Sequence, residues 1–477
     1  MKVISDQEVR DHILRTNPWW ESGGADVPRV QDLRPRPYLE LLYPLVTNLE
    51  VRRAVVLLGP RRVGKTFLIF HLIQRLIANG VEPRRIGYLD VEHPILQYRS
   101  LESLVDAMDS GVEASAEKPR FVFLDEIQYL RDWERHLKPL VDERPELRIL
   151  VSGSAAAALK RSSHESGAGR FTDFMLPPLT FPEYIHLSRQ DGLLDVQGSR
   201  YSIPDHARLN EVFVNYLNHG GYPEVALSAE VRAESQRFIK SDIVDKVLLR
   251  DLPNLYGISD IQELNALFTM LAYNTAQVVS PEALSKKSNV RKPTILKYIE
   301  YLEAAFLIRR LERVDQSGKR FQRQRQFKVY LTNPTMRSAL FGELTPDRDG
   351  FGALVETGIL GQLFHSDREI RYAGWQGGEV DLVQLHRSLA PQNALEVKWS
   401  NQPIKDSRLT RNLTQFCRKS GLDWGICTTV DRWGHHEQDG ILIRFIPAAV
   451  MCYHLGAITL DLAGIPVVAD PGQDQQI

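Results

Sequence analysis

The amino-acid sequence predicts a multidomain α/β protein. Its 477 residues are too many for one ordinary hydrophobic core. Residues 54–73 read as a buried strand, a glycine-rich loop and a helix, in that order. Residues 352–430 alternate between helical and strand patterns, and mainly helical patterns lie between these two stretches. We therefore expect an α/β domain toward each end, joined by helical segments.

Composition excludes several classes of protein. The chain is 43% hydrophobic and 25% charged, which is ordinary for a globular protein. It has no run of about 18 apolar residues, and its first residues lack the apolar segment of a signal peptide, so we expect no membrane span. Three cysteines predict neither a disulfide framework nor a zinc cluster, which favours a cytoplasmic location.

The most specific motif is a phosphate-binding loop. The stretch GPRRVGKT at 59–66 follows an apolar strand, precedes a helix and fits the pattern G-x-x-x-x-G-K-[ST]. In such loops the backbone N–H groups and the helix N-terminus approach phosphates, the lysine reaches the β- and γ-phosphates, and the hydroxyl binds Mg²⁺. The sequence thus predicts an ATP–Mg²⁺ site. Its predicted residues are Gly59, Pro60, Arg61, Arg62, Val63, Gly64, Lys65, Thr66 and Phe67.

A second apolar strand supplies the acidic partner that a phosphate loop requires. The stretch FVFLDE ends in Asp125 and Glu126. We expect Asp125 to hold Mg²⁺ through water and Glu126 to orient or deprotonate the attacking water. The glutamate favours nucleotide hydrolysis over nucleotide sensing alone.

Residues 261–345 predict a winged helix-turn-helix. Three helical patterns come first, and Ser280 and Pro281 have the residue types of an N-cap and a first helical position. Two strand-like runs, LIRRLERV and FKVYLTN, then flank a polar loop. Such a domain binds DNA in some proteins and in others only packs between domains or binds proteins, and both interpretations stay open.

The local charge of this region points to a nucleic-acid partner. Residues 286–328 hold 13 lysines and arginines against four acidic residues, a formal charge of +9 in a chain whose net charge is −1. Such an excess is typical of a phosphate-binding surface, although it also fits a solvated basic face or one that docks an acidic neighbour. The candidates for DNA phosphate contact are Arg291, Lys292, Lys297, Arg320, Arg323 and Arg325.

The C-terminal part gathers charged residues at alternate positions. Two predicted strands carry Glu379 with Asp381, and Glu396 with Lys398. Residues two apart in a strand face the same way, so the four side chains are expected to meet if the strands pair. A helix over 352–365, three strands, a helix and a further strand give the order αβββαβ.

Together these motifs resemble a family of prokaryotic AAA-type ATPases with an uncharacterised C-terminal domain. The resemblance rests on GPRRVGKT, FLDEIQYL, the strand end SGSA, GRF with LPPLTFPEYI, GGYPEVAL, and EVDLV with ALEVK, and it spans about residues 36–455. It implies an AAA+ ATPase core, a winged-helix middle and a C-terminal core of the PD-(D/E)xK restriction-endonuclease type. In AAA+ ATPases a polar residue at the SGSA position senses the γ-phosphate, which points to Ser154 or Ser152, unless this is only a polar turn.

Arg170 follows a glycine-rich loop, where an arginine could reach the nucleotide of its own chain or of a neighbour in a homo-oligomer, or could equally form a structural ion pair. The resemblance assigns further roles. In the nuclease-like core Asp381 and Glu396 would hold Mg²⁺ or Mn²⁺, Lys398 would position the attacking water, and Glu356 would fill a fourth position. The alternative is an inactive nuclease fold in which these charges form a buried polar network.

The resulting hypothesis is an ATP-hydrolysing protein whose nucleotide state controls a nuclease-like module that acts on DNA. The competing hypothesis is a nucleotide-dependent regulatory switch whose C-terminal domains are non-catalytic scaffolds that bind proteins. The predicted segments are an N-terminal extension (1–35), an AAA+ domain (36–190), a helical lid or linker (191–260), a winged helix (261–345), a nuclease-like domain (346–460) and a tail (461–477).

Overall fold

The computed structural model of the protein describes residues 5–24, 27, 30, 32–96, 99–109, 115, 117–154, 169–197, 200–319 and 326–460. Two compact units divide the chain, Met1–Pro177 and Pro178–Ile477. The division comes before the predicted end of the AAA+ domain at residue 190. The residues just after the division pack in the second unit: Phe181 begins a helix, and its N–H donates to the Gln362 side chain at 2.9 Å.

A five-stranded parallel sheet forms the centre of the first unit. Its strands are β1 (Ala54–Leu58), β2 (Ile86–Asp90), β3 (Arg120–Asp125), β4 (Leu147–Gly153) and β5 (Phe171–Met175). Their order is β2-β3-β4-β1-β5, and every neighbouring pair is parallel. The apolar run AVVLL of the first strand is buried at all its positions, as expected for a strand covered on both faces.

The N-terminal extension covers the β2 edge of this sheet. The Asn17 side chain accepts from the Tyr88 N–H at 2.7 Å and donates to the Tyr88 carbonyl at 2.9 Å. The indoles of Trp19 and Trp20 both donate to the Ile86 carbonyl. These side chains give hydrogen-bond partners to backbone groups that an exposed edge would leave without them.

The helices of this unit are α1 (Asp6–Thr16), α2 (Trp19–Ser22), α3 (Tyr38–Thr47), α4 (Lys65–Ala78), α5 (Leu101–Ala107) and α6 (Trp133–Glu143).

A nine-stranded mixed sheet organises the second unit. Its strands are β8 (Gln277–Val279), β9 (Ile308–Val314), β10 (Phe327–Leu331), β11 (Glu369–Trp375), β12 (Gly378–Leu385), β13 (Pro391–Glu396), β14 (Trp424–Thr429), β15 (Gly434–Gln438) and β16 (Ile441–Pro447), and β6 (Asp195–Gln197) pairs separately with β7 (Arg200–Ser202). Their order in the sheet is β15-β16-β14-β13-β12-β11-β9-β10-β8. A parallel pairing of β9 with β11 joins the strands of the predicted winged helix to those of the predicted nuclease-like segment. The predicted division at residue 345 therefore separates elements that share one sheet.

Helices accompany this sheet throughout the second unit. They are α7 (Phe181–Leu187), α8 (His206–His219), α9 (Pro223–Leu227), α10 (Ala229–Ala233), α11 (Ser235–Ile239), α12 (Leu252–Tyr256), α13 (Ile261–Tyr273), α14 (Pro281–Ser288), α15 (Lys292–Ala304), α16 (Thr335–Phe341), α17 (Phe351–Gly361), α18 (Gln402–Lys405), α19 (Arg411–Ser420) and α20 (Ala448–Thr459), with π-helical turns at Lys240–Asp245 and Val247–Asp251. Ser280 caps α14 by accepting from the Ala283 N–H at 3.1 Å, and Gly421 ends α19 with a left-handed φ of 76°. Apart from the four-residue helix α18 and a short 3-10 turn before α19, the order α17-β11-β12-β13-α19-β14 matches the predicted αβββαβ. Within the described ranges, no helix has the length and apolar character needed to cross a bilayer.

Candidate functional site

Two glycines shape the phosphate loop between β1 and α4. Gly64 caps α4 with a φ of 92°, a left-handed conformation that favours glycine. A Cβ atom on Gly59 would lie 2.3 Å from the Leu176 carbonyl oxygen, closer than any side chain permits. Both glycines of the motif are therefore required by the backbone that presents the N-terminus of α4.

Lys65 is buried inside this loop. Its ammonium donates to the carbonyls of Gly59 at 3.2 Å and Pro60 at 2.9 Å. Burial lowers the pKa of Lys65, and the nearby carboxylates of Glu126 and Asp125 act against that shift. A lysine held by neutral carbonyls is ready to exchange them for phosphate oxygens, which are stronger acceptors.

Thr66 and Asp125 come together across the sheet. The Thr66 hydroxyl donates to Asp125 Oδ2 at 2.6 Å, and Tyr88 OH donates to the same oxygen at 3.1 Å. The other oxygen, Oδ1, accepts from the hydroxyl of Ser152 at the end of β4. A hydroxyl directly after the loop lysine, next to a strand-end aspartate, is the donor set that holds Mg²⁺ in P-loop sites. These residues thus fit an ATP–Mg²⁺ complex.

Glu126 lies beside this pair in a left-handed conformation, with a φ of 57°. Its N–H donates to Asp125 Oδ1 at 3.2 Å, and one of its side-chain oxygens accepts from the Gln128 amide. Burial raises the pKa of Glu126, while Lys65 opposes the shift. A carboxylate with a raised pKa is a stronger base than an exposed glutamate.

The structure distinguishes the two predicted serines. Ser152 contacts Asp125, as described above. Ser154 is buried, and its N–H donates to the Gln128 side chain at 3.3 Å. Among the described residues, its hydroxyl has no hydrogen-bond partner. The two serines thus differ in that the Ser152 hydroxyl is bonded to Asp125, and the predicted sensor role of Ser154 stays a prediction.

Arg170 is not brought to the phosphate loop. Its carbonyl accepts from the N–H of Ala54, the first residue of β1, whereas the loop follows Leu58 at the other end of that strand. Its guanidinium pairs with Asp142 at 3.1 Å. The structural ion pair is thus present, and contact with the nucleotide of the same chain does not fit this position. Contact with a neighbouring copy stays a prediction.

Sequence reasoning missed two residues of this site. Arg36 is buried, and its guanidinium donates to the carbonyls of Val63 at 2.7 Å and Pro177 at 3.0 Å, which anchors the phosphate loop. Asp90 ends β2 in register with Asp125, and burial raises its pKa to about 6. Asp90 could have been predicted, because the run IGYLD resembles FVFLD and also ends in an aspartate. No motif near Arg36 indicates its role.

The second unit gathers four acidic residues, which we call the carboxylate cluster: Glu356, Glu379, Asp381 and Glu396. Glu356 comes from α17, Glu379 and Asp381 come from β12, and Glu396 ends β13. Asp381 Oδ2 accepts from the Val397 N–H at 2.9 Å. Lys398, which follows β13, donates to Glu396 Oε1 at 2.7 Å. The structure thus assembles the predicted residues Glu356, Asp381, Glu396 and Lys398.

Lys328 of β10 enters this cluster and was not predicted as part of it. Its ammonium lies 2.9 Å from Glu356 Oε1, 2.6 Å from Glu379 Oε1 and 2.9 Å from Asp381 Oδ1. The Lys328 side chain is only 2% exposed. Tyr330, two residues along the same strand, donates to Glu356 Oε1 at 2.6 Å. The strand of the predicted wing therefore supplies the central cation of the cluster.

The acids of the carboxylate cluster differ in the direction of their pKa shifts. Burial, with the nearby Asp381 charge, raises the pKa of Glu356 to about 7 and that of Glu396 to about 8. Burial also acts to raise the pKa of Asp381, but Lys328 and Lys398 outweigh it and hold that pKa below its usual value. Asp381 thus stays ionised, whereas Glu356 and Glu396 are protonated more readily than ordinary glutamates.

The carboxylate cluster does not fit a divalent metal in this arrangement. Lys328 occupies the point where oxygens from three of its acids converge, and Glu396 Oε1 is taken by Lys398. Within the part of the chain that the structure describes, no group of three or more histidines, cysteines or acids is arranged to hold a metal ion. The prediction that Glu356, Asp381 and Glu396 act as metal ligands is therefore not supported by this geometry.

The structure describes part of the predicted basic surface. Lys286, Lys287, Arg291 and Lys297 are exposed around the junction of α14 and α15. Lys292 is also exposed but pairs with Glu282, and Lys328 is buried in the carboxylate cluster. The remaining candidates, Arg320, Arg323 and Arg325, lie outside the described residues.

Comparison with known families supports the assignment of the first unit. Residues 51–185 match the model of a family described as an AAA domain, which confirms the predicted AAA+ P-loop ATPase domain at the level of the domain family. Residues 210–347 match a domain of unknown function, DUF8612. This second match ends before most of the predicted nuclease-like segment, so it gives that segment no support.

Individual relatives are distant and uncharacterised. A Haemophilus influenzae protein is 27% identical over 292 residues, covering 60% of this chain and 68% of its own. A Methanocaldococcus jannaschii protein, MJ1544, is 24% identical over 258 residues, and the match spans 53% of this chain and only 55% of that relative. A solved structure of the Aeropyrum pernix ORC1 protein in complex with DNA is 15% identical with a TM-score of 0.31, covering 66% of this chain and 93% of its own.

Proposed function

We propose that the chain binds and hydrolyses ATP in its first unit and that the nucleotide state controls what its second unit binds. The observation that carries the first part is the 2.6 Å contact between the Thr66 hydroxyl and Asp125, next to the buried Lys65 and Glu126. Side chains from the phosphate loop and from β3 are thus preassembled at one edge of the sheet.

The residues divide the chemistry among them. Mg²⁺, when bound with ATP, neutralises charge on the phosphate oxygens. Thr66 and Asp125 would hold that ion, Lys65 would exchange its loop carbonyls for β- and γ-phosphate oxygens, and Ser154 would donate its hydroxyl to the γ-phosphate. Glu126, with its raised pKa, would accept a proton from the attacking water.

Phosphate release by the purified full chain tests this function. Wild type should release phosphate from ATP only when Mg²⁺ is present. Lys65→Ala should abolish both ATP binding and turnover, because it removes the ammonium that meets the phosphates. Turnover in Lys65→Ala at the wild-type rate would refute the proposal.

For the second unit we propose a winged helix that binds DNA. Residues 261–331 follow the order helix, strand, helix, helix, strand, strand, with β8, β10 and β9 paired antiparallel. The exposed Lys286, Lys287, Arg291 and Lys297 supply positive charge where the two helices meet. Basic groups in such a position hold phosphates and orient a helix in the major groove. Fluorescence anisotropy of labelled duplex DNA, with and without ATP, tests both binding and its control.

The C-terminal segment has the element order of a nuclease-like core, and we propose that it keeps this fold without cleaving DNA. The order αβββαβ and the meeting of Asp381, Glu396 and Lys398 support the fold. Lys328, bonded to three of the acids, favours the non-catalytic alternative. Plasmid DNA incubated with Mg²⁺ or Mn²⁺ should stay intact. Cleavage by wild type that Asp381→Ala abolishes would overturn this part of the proposal.

A further inference from the structure

The ammonium of Lys328 has the surroundings of a bound cation. Three carboxylate oxygens, from α17 and from two positions of β12, converge on it at 2.6–2.9 Å. A divalent cation collects carboxylate oxygens from several elements at one point in the same way, at about 2.0–2.6 Å. The side chain that fills the point is part of the chain itself and is 2% exposed.

We propose that Lys328 is a built-in cation that takes the place of a divalent metal in the carboxylate cluster, so that this centre binds a metal only after Lys328 is removed. The proposal goes beyond the ATPase and DNA-binding functions and depends on neither. It concerns only the contacts of one side chain in the second unit.

The position of Lys328 is fixed by its strand. β10 lies between β9 and β8, with Lys328 in register with Leu311 on one side and Val278 on the other. On the same face of β10, Tyr330 is fully buried and donates to Glu356. The Lys328 ammonium also lies 5.8 Å from the centre of the Tyr372 ring, a cation–π distance. A lysine that moved aside for a metal would lose these contacts and leave its ammonium to find other partners in a buried site.

Charge gives the second part of the argument. Glu356, Asp381 and Glu396 are buried or nearly so, and buried carboxylates are costly unless cations compensate them. Lys328 and Lys398 are the cations that contact them. Replacing Lys328 by a neutral side chain would leave the oxygens of Glu356, Glu379 and Asp381 without the ammonium that they contact. Uncompensated carboxylate oxygens that converge on one point favour the binding of a divalent ion.

Mn²⁺ binding to the nucleotide-free full chain tests the proposal, with bound Mn²⁺ measured by electron paramagnetic resonance. Wild type and Asp381→Asn should bind the same amount of Mn²⁺. Lys328→Gln should gain about one Mn²⁺ per chain, and the double variant Lys328→Gln/Asp381→Asn should lose that gain. Lys319→Gln, which removes an exposed lysine from the loop after β9, is the matched control and should gain none.

Two outcomes would overturn the proposal. One is Mn²⁺ binding by wild type that Asp381→Asn abolishes, since the centre would then hold a metal in spite of Lys328. The other is a folded Lys328→Gln protein, judged by circular dichroism, that binds no more Mn²⁺ than wild type. If Lys328→Gln does not fold, the comparison of wild type with Asp381→Asn and Glu396→Gln still decides whether the native centre takes a metal.

Discussion

Thr66 and Asp125 are 59 positions apart in the sequence, and a hydrogen bond of 2.6 Å joins their side chains. β4 lies between β1 and β3 in the sheet, and the phosphate loop that follows β1 carries Thr66, at the start of α4, to the end of β3. This contact couples the phosphate loop to the acidic strand end before any nucleotide binds.

The contact predicts a specific dependence on Mg²⁺. Thr66→Ala should raise the Mg²⁺ concentration for half-maximal ATP hydrolysis by about tenfold or more, because one oxygen of the metal-binding pair is removed. Thr66→Ser keeps the hydroxyl and should behave nearly as wild type. Steady-state rates across a Mg²⁺ titration measure this. Equal Mg²⁺ dependence in wild type and Thr66→Ala would contradict the role given to the hydroxyl.

Glu126 should separate binding from turnover. Glu126→Gln removes the base but keeps the shape, so ATP affinity should be retained while hydrolysis falls roughly 10²- to 10⁴-fold. Binding of a fluorescent ATP analogue and single-turnover hydrolysis measure the two effects. Glu82→Gln, an exposed change in the same unit, should leave both unchanged. Normal turnover in Glu126→Gln would remove Glu126 from the mechanism.

Arg36 should act as a positioning residue for the phosphate loop. Arg36→Ala removes hydrogen bonds to the Val63 and Pro177 carbonyls, each from a buried charged donor, and should cost about 1.5–3 kcal/mol of stability. ATP affinity should fall, because the loop that Arg36 positions binds the phosphates. The maximal rate should fall less, because Glu126 is unchanged. Urea unfolding and nucleotide titration measure the two effects, with the exposed Arg84→Ala as control. An unchanged ATP affinity would show that Arg36 supports only the fold.

The first site was predictable from the sequence because its signals are local. The loop motif, the strand FVFLDE and the serine-rich strand end each lie within about ten residues, and a parallel sheet brings such strand ends to one edge. Sequence reasoning missed Arg36 because it donates to the backbone carbonyls of Val63 and Pro177. Contacts to backbone carbonyls leave no recognisable motif in the sequence.

The second site was predictable only in part. Pairing of β12 with β13 follows from a short connection, and it brings Asp381 close to Glu396 as the alternating charges suggested. Lys328 reaches the cluster because β9 pairs with β11 and thereby joins two segments that the sequence separates. In FKVYL the lysine looks like one more residue of a basic wing, so its charge was counted in the basic region 286–328 and not in the carboxylate cluster.

The exposed basic residues predict salt-dependent DNA binding. Reversing Lys286, Lys287, Arg291 and Lys297 to glutamate should weaken duplex binding at low salt and reduce the slope of log affinity against log salt by about 0.9 for each phosphate that the protein no longer neutralises. The matched control reverses four other exposed basic residues, Arg408, Arg411, Arg418 and Lys419, and so makes the same change of net charge. Anisotropy at several salt concentrations measures the slope. Unchanged affinity and slope in the reversed protein would exclude this surface as the DNA site.

Two histidines with lowered pKa values are predicted to destabilise the folded chain in acid. Burial lowers the pKa of His365 to about 3 and that of His454 to about 4, below the value of 6.5 expected in the unfolded chain. Between those values each histidine binds a proton in the unfolded chain but not in the folded chain, so its own contribution to the free energy of unfolding falls as the pH drops from about 6.5 toward 4. The raised pKa values of Asp90, Glu356 and Glu396 act in the opposite direction, so the histidine contribution is measured as a difference between variants. Each histidine contributes a slope of at most about 1.4 kcal/mol per pH unit.

Urea unfolding between pH 7.5 and pH 4.5 checks this slope. His365 packs against the Phe306 ring, and within the described structure its Nε2 has no hydrogen-bond partner, so His365→Leu removes the titrating group without removing a polar contact of that nitrogen. Relative to wild type, the variant should gain unfolding free energy as the pH drops from about 6.5, whereas His435→Gln, at an exposed position, should follow the wild-type curve. An identical slope in His365→Leu and wild type would mean that His365 becomes protonated without unfolding, which the desolvation of its ring opposes.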